Sequence, residues 1–188
     1  MALLLFGLVM FLGTHTLATF RQQRATLIGR MGLNGYRGLF SALSAVGLLL
    51  IVLGFERYRL DGLIPIWSPP AGMRHVTMLL VWIAFVSLAA AYSPAGKIKG
   101  LLRHPMLVGI KAWALGHLLA NGDLGGIVLF GAFLLWAGYD RIAIRRRGDK
   151  GAPRSAITAG DGVAIAAGTV AYVAMIWAHP YLIGVSVL

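Results

Sequence analysis

Six stretches of the chain are apolar almost without interruption, and polar segments separate them. The first runs Leu3–Phe20, with Thr14, His15, Thr16 and Thr19 as its polar positions, and Arg21 stops it. No basic segment precedes it, and it is longer than the apolar part of a cleavable signal, so it reads as a spanning helix. The second, Tyr36–Phe55, ends at Glu56-Arg57-Tyr58-Arg59. A loop with Pro65, Pro69 and Pro70 follows; its Ile64, Ile66 and Trp67 suit the membrane interface, where Trp is favoured.

The remaining stretches are His75–Tyr92, Pro105–Ala120, Leu124–Tyr139 and Gly162–Trp177 with the apolar C-terminus. Pro105 opens its helix at a first-turn position, where its missing N–H costs nothing. Asn121-Gly122-Asp123 predicts a tight turn, with Asp123 capping the helix after it. A spanning helix needs roughly 20 apolar residues. Only helices and closed barrels satisfy the backbone in lipid, and these runs lack the alternation of barrel strands. The expected fold is therefore all-α: a polytopic transmembrane helix bundle of about six spans, one domain over 1–188.

Composition agrees. Hydrophobic residues make up 59% of the chain and charged residues 12%, against about 45–50% and about 25% in soluble domains. The chain has no cysteine, which excludes thiolate metal sites, iron–sulfur clusters, disulfides and covalently attached haem. Many of its 25 glycines fall within spans, where small residues let helices approach closely.

The net charge of +11 would suggest nucleic acid in a soluble protein. Here the positions of the charges explain it. Arg21, Arg24, Arg30 and Arg37 follow the first span, and Lys97, Lys99 and Arg103 follow the third. Arg141, Arg145, Arg146, Arg147, Lys150 and Arg154 follow the fifth. In the second loop Arg57, Arg59 and Arg74 are partly offset by Glu56 and Asp61, and the fourth has Asp123 alone. The odd loops are then cytoplasmic and both termini face outward, which in a bacterial inner membrane means the periplasm. The partner of the charge is anionic lipid, not nucleic acid.

Polar groups inside a span are costly and need a reason. His15 lies in the first span, and Lys111 and His117 in the fourth. His75, His104 and His179 sit near span ends, where water or headgroups reach. Lys111, seven residues beyond His104, shares its helix face; it can snorkel or pair with a buried carboxylate. Nearly all the acids sit in loops or at helix ends, so such a carboxylate would come from a ligand. Haem propionates would serve. There is no His-Glu-x-x-His zinc motif, phosphate-binding loop or dinucleotide fingerprint.

Three segments carry a resemblance. They are Gly13-Thr14-His15, Tyr36-Arg37-Gly38-Leu39-Phe40-Ser41, and Arg103-His104-Pro105-Met106-Leu107-Val108-Gly109 continuing to Trp113-Ala114-Leu115-Gly116-His117-Leu118-Leu119-Ala120-Asn121-Gly122-Asp123. Together they resemble the NnrU family of bacterial membrane proteins over nearly the whole chain. That resemblance implies a five- or six-helix membrane protein linked to denitrification and nitric oxide metabolism. The plastid 15-cis-zeta-carotene isomerases are similar to this family and hold a b-type haem between two histidines to isomerise a lipophilic polyene. Their ligands match a first-helix His and a His thirteen residues after Arg-His-Pro, which here are His15 and His117. The resemblance thus implies haem b on His15 and His117, with Lys111 or Arg37 neutralising a propionate and His104 the rival ligand. Trp113 and Asn121 flank His117 at i−4 and i+4.

The Arg103–Gly109 segment is also similar to the Arg-His-Pro-x-Tyr-x-Gly stretch of isoprenylcysteine carboxyl methyltransferases, which bind S-adenosylmethionine. This chain has Leu107 at the Tyr position, and Arg145-Arg146-Arg147 where that family carries paired Glu. Three functional classes stay open: a haem protein acting on nitric oxide or a lipophilic small molecule, a membrane methyltransferase, and a non-catalytic assembly factor.

Overall fold

The computed structural model describes residues 1–187; Leu188 lies outside them. Seven helices follow one another: α1 (Ala2–Thr19), α2 (Arg21–Leu60), α3 (Met73–Tyr92), α4 (Lys97–Leu102), α5 (Pro105–Ala120), α6 (Leu124–Arg146) and α7 (Ala159–Ile183). Among the described residues there is no strand, only an isolated bridge between Pro65 and Asp123. Helices α1, α2, α3, α6 and α7 are long and apolar enough to cross a membrane, and α5 is a shorter apolar helix. The chain is an all-α, multi-pass membrane protein by helix length and hydropathy.

It forms two compact units. The first comprises Met1–Trp67 and Asp123–Ala143. In it α1 packs along α2 with the backbones in contact. A Cβ on Gly7 would lie 2.6 Å from the Ile51 nitrogen, and one on Gly47 would lie 2.8 Å from that of Phe11. With little hydrophobic force between helices in lipid, such close approach is what holds them. Leu4 and Leu8 of α1 and Ile51 of α2 are buried in this seam. The loop after α2 is fastened to the start of α6: the Leu124 N–H donates to the Ile64 carbonyl at 2.9 Å. The Ile64 N–H donates to the Tyr58 hydroxyl at 2.9 Å. Asp123 caps α6 as expected, accepting from the Gly126 N–H at 2.8 Å.

The loop expected after the first span is instead helix. Residues 21–31 contain no proline, and helix α2 runs 40 residues from Arg21. It consists of two helical stretches, 21–31 and 33–60, and the second alone, about 42 Å at 1.5 Å per residue, exceeds a bilayer core of about 30 Å. The break comes at Gly32, whose φ of 75° and ψ of 165° suit glycine alone.

The second unit comprises Ser68–Gly122 and the chain from Ile144 onward. Here α3 packs against both α5 and α7. The Thr77 hydroxyl reaches the Gly116 carbonyl at 2.8 Å, and the Trp82 indole N–H donates to the Thr169 hydroxyl at 3.0 Å. Helix α7 opens with a capping box formed by Thr158 and Asp161. The Asp161 carboxylate also accepts from the N–H groups of Lys97 and Ile98, at 3.0 and 2.7 Å. It therefore serves two helix N-termini, where negative charge is favoured. Lys99 satisfies the far end of α3, its Nζ donating to the Ala91 and Ser93 carbonyls at 3.0 and 2.9 Å. The basic loop expected from Asp140 begins later, because α6 continues through Arg146 and buries Ile144.

Candidate functional site

His15 sits in the first unit, ringed by aromatic side chains. Its ring stacks on Phe11 with centroids 4.3 Å apart and meets Phe40 and Trp136 edge-on at 5.0 and 5.8 Å. Its Nδ1 lies 2.8 Å from the Phe11 carbonyl. A carbonyl can only accept, so Nδ1 carries the proton and Nε2 the lone pair. Trp136 is held in turn: its N–H donates to the Thr16 hydroxyl at 3.1 Å, and Thr16 donates to the Leu12 carbonyl at 2.7 Å. Three residues further along α6, the Tyr139 hydroxyl lies 3.1 Å from that of Thr19. Thr19 gives its own proton to the Thr16 carbonyl at 2.7 Å, so Tyr139 is the donor. The threonines of α1 thus align α6 beside His15.

His117 sits in the second unit, in the last turn of α5. Its Nδ1 lies 2.9 Å from the Trp113 carbonyl, which again places the proton on Nδ1 and the lone pair on Nε2. The Trp113 ring lies 5.3 Å from the imidazole, and the Asn121 amide donates to the His117 carbonyl at 2.7 Å. Trp113 thus fixes the His117 tautomer through its carbonyl, and Asn121 caps the end of α5.

The expected propionate partners stand differently. Arg37 is exposed on α2, one turn before Phe40, on the His15 unit. Lys111 is half-buried on α5, but six residues from His117 it lies about 240° round the helix, on another face.

His104 departs from expectation. Its place just before α5, whose N-cap it is, suggests contact with water or headgroups, yet its Nε2 is buried without a hydrogen-bond partner. Gly151, at φ +69°, covers it: a Cβ there would lie 2.7 Å from Nε2. The turn before it is strained. Arg103 has φ 59° and ψ −48°, and the His104 N–H closes onto the Leu102 carbonyl at 2.6 Å, a γ-turn of the rare kind. Residues 150–152 hold it in place. The Ala152 N–H donates to the Arg103 carbonyl at 2.8 Å, and Arg103 Nη1 to the Lys150 carbonyl at 3.3 Å.

Sequence reasoning missed Trp136 and Asp161. The first had no local signal beyond the threonine run it docks on. The second was readable as Thr158-x-x-Asp161, a capping pattern. Among the described residues no three His, Cys, Asp or Glu side chains converge as a metal site.

No curated protein and no solved structure matches the chain. A family model described as NnrU protein matches residues 3–187. That match over nearly the whole chain, on helices of this length and hydropathy, leads to one assignment: the protein belongs to the NnrU family.

Proposed function

We propose that this chain is a membrane haem b protein, in which His15 and His117 would hold the haem. The observation that carries the reading is the shared tautomer. Both imidazoles lie in apolar helices and give Nδ1–H to the carbonyl four residues earlier, at 2.8 and 2.9 Å. That leaves Nε2 as a neutral, oriented donor of a lone pair, and the carbonyl behind it raises its basicity. The chemistry of the donor set fits iron in a porphyrin, and each histidine has apolar rings of its own unit beside it, Phe11, Phe40 and Trp136 at His15 and Trp113 at His117. Bound haem would supply one-electron chemistry and a site for nitric oxide or a lipophilic substrate. The chain's own part is to hold each imidazole in one tautomer and to exclude water. Arg37, exposed on the His15 unit, is the propionate partner that this reading favours over Lys111, which faces away from His117.

The test is the visible spectrum of protein purified in mild detergent and supplied with haem, oxidised and then reduced. A Soret band of six-coordinate haem is expected. His15→Ala and His117→Ala should each lose haem or become five-coordinate, and His104→Ala should change little. A wild-type protein that stays colourless would overturn haem binding. Six-coordinate haem in either of the first two variants would overturn the ligand pair.

A further inference from the structure

Residues 21–31 are a helix of their own, bounded by two breaks. Phe20, extended at φ −83° and ψ 93°, parts them from α1, and Gly32, at φ 75° and ψ 165°, parts them from the rest of α2. The helices on either side run antiparallel, since Gly47 abuts Phe11 and Gly54 abuts Leu4. Both carry apolar spans. The short helix that joins them therefore lies at one surface of the bilayer.

That helix has two sides. At about 100° per residue, Leu27, Ile28 and Met31 fall on one side, and Gln22, Gln23, Thr26 and Arg30 on the other. The polar group is exposed throughout, while Leu27 and Ile28 are half-buried. A helix of this pattern lies in the interfacial plane with its apolar side toward the acyl chains. Arg24 falls between Leu27 and Ile28 on the apolar side, one turn after Arg21. Its guanidinium carbon stands 5.6 Å from the centre of the Tyr36 ring, across the Gly32 break. Tyr36 is only 8% exposed, so the ring is a fixed platform. A guanidinium held over a ring keeps its N–H groups, which lie in its own plane, for an acceptor.

The chain supplies no such acceptor. Among the described residues the side chains of Arg21 and Arg24 have no hydrogen bond and no ion pair. No acid occurs before Glu56, at the far end of α2. Asp140 stands beside Tyr139, whose hydroxyl meets Thr19, but Arg141 follows it directly. Cations one turn apart repel unless an anion joins them, and at the bilayer surface that anion is a lipid phosphate. We propose that Arg24, oriented by Tyr36, and Arg21 bind the phosphate of an anionic phospholipid headgroup, with helix 21–31 lying in the headgroup layer. The guanidinium fork meets two phosphate oxygens at once. A zwitterionic headgroup is the poorer partner, because it brings its own cation beside the phosphate. Arg30, on the polar side, faces water and takes no part. The site uses neither histidine nor Arg37, so it stands or falls apart from haem binding.

The experiment titrates full-length protein in dodecyl maltoside with phosphatidylglycerol or phosphatidylcholine and counts bound lipid by native mass spectrometry. Phosphatidylglycerol should bind about fivefold more tightly, and Arg24→Gln should weaken it about fivefold. Arg24→Lys should recover only part of the loss, since an ammonium lacks the planar fork. Arg30→Gln, and Tyr36→Phe, which keeps the ring, should bind as the wild type does. The melting temperature of lipid-free protein checks that each variant is folded. Equal binding of the two lipids by the wild type overturns the proposal, as does undiminished binding in folded Arg24→Gln. A loss in Arg30→Gln as large as that in Arg24→Gln also overturns it, because diffuse surface charge then accounts for the binding.

Discussion

The carboxylate of Asp161 accepts the Ile98 N–H at 2.7 Å, tying the first turn of α7 to the first turn of α4, 63 residues away in the chain. The same carboxylate takes the N–H groups of Lys97 and Thr158 at 3.0 and 2.8 Å. Three backbone donors depend on one side chain that is 7% exposed. Asp161→Ala should therefore lower the melting temperature by several degrees, because the donors have no second acceptor of that reach. Asp161→Asn should lower it less, since one oxygen remains, but its NH₂ group then faces N–H groups. Differential scanning fluorimetry in detergent reads both, and a melting temperature equal to wild type in Asp161→Ala would refute the role.

The α1–α2 seam makes a second prediction. Gly47→Ala places a Cβ 2.8 Å from the Phe11 nitrogen, so one backbone must shift. The expected cost is about 1–3 kcal/mol. Gly38→Ala on the same helix meets nothing within 4 Å and should be neutral or stabilise by up to about 1 kcal/mol. Thermal melts of the two variants should move apart, and equal shifts would count against backbone contact.

Gly151 covers the strained turn at Arg103. Gly151→Ala combines a φ of +69° with a Cβ 2.5 Å from the Arg103 carbonyl oxygen. The segment 148–155 should detach, freeing the backbone on either side of Lys150 and Arg154, whose side chains are already exposed. Limited trypsin digestion should cut this variant faster than wild type at those residues. Unchanged cleavage would show that the loop holds without the close approach.

Charge asymmetry predicts the orientation. A reporter inserted within Ala152–Ala159, beside the Arg145-Arg146-Arg147 run, should read cytoplasmic. One fused after Leu188 should read periplasmic. Opposite readings would invert the assignment of odd and even loops.

What the sequence by itself determined is the apolar periodicity and its consequence. Runs such as Leu3–Phe20 and His75–Tyr92 are too long and too apolar for anything but helices in lipid, so the helical fold could be read without coordinates. The Arg-His-Pro and His-Leu-Leu-Ala-Asn-Gly-Asp segments were enough to point to the family. Local signals also sufficed for Asp123, because a cap acts within one turn of its own helix. The tertiary structure decided what depends on residues far apart in sequence. Nothing near Asp161 says that its carboxylate will serve α4 as well as α7, and nothing near His104 says that Gly151 will cover its Nε2. Helix α2 begins at Arg21 because charge alone does not break a helix, and hydropathy marks where a span ends, not where a helix does. The register of α5 and α7 on α3 follows from glycine contacts, Gly109 on Ala84 and Gly168 on Val86 among them. Those contacts set how far each helix slides along its neighbour, and a one-dimensional pattern does not carry that distance.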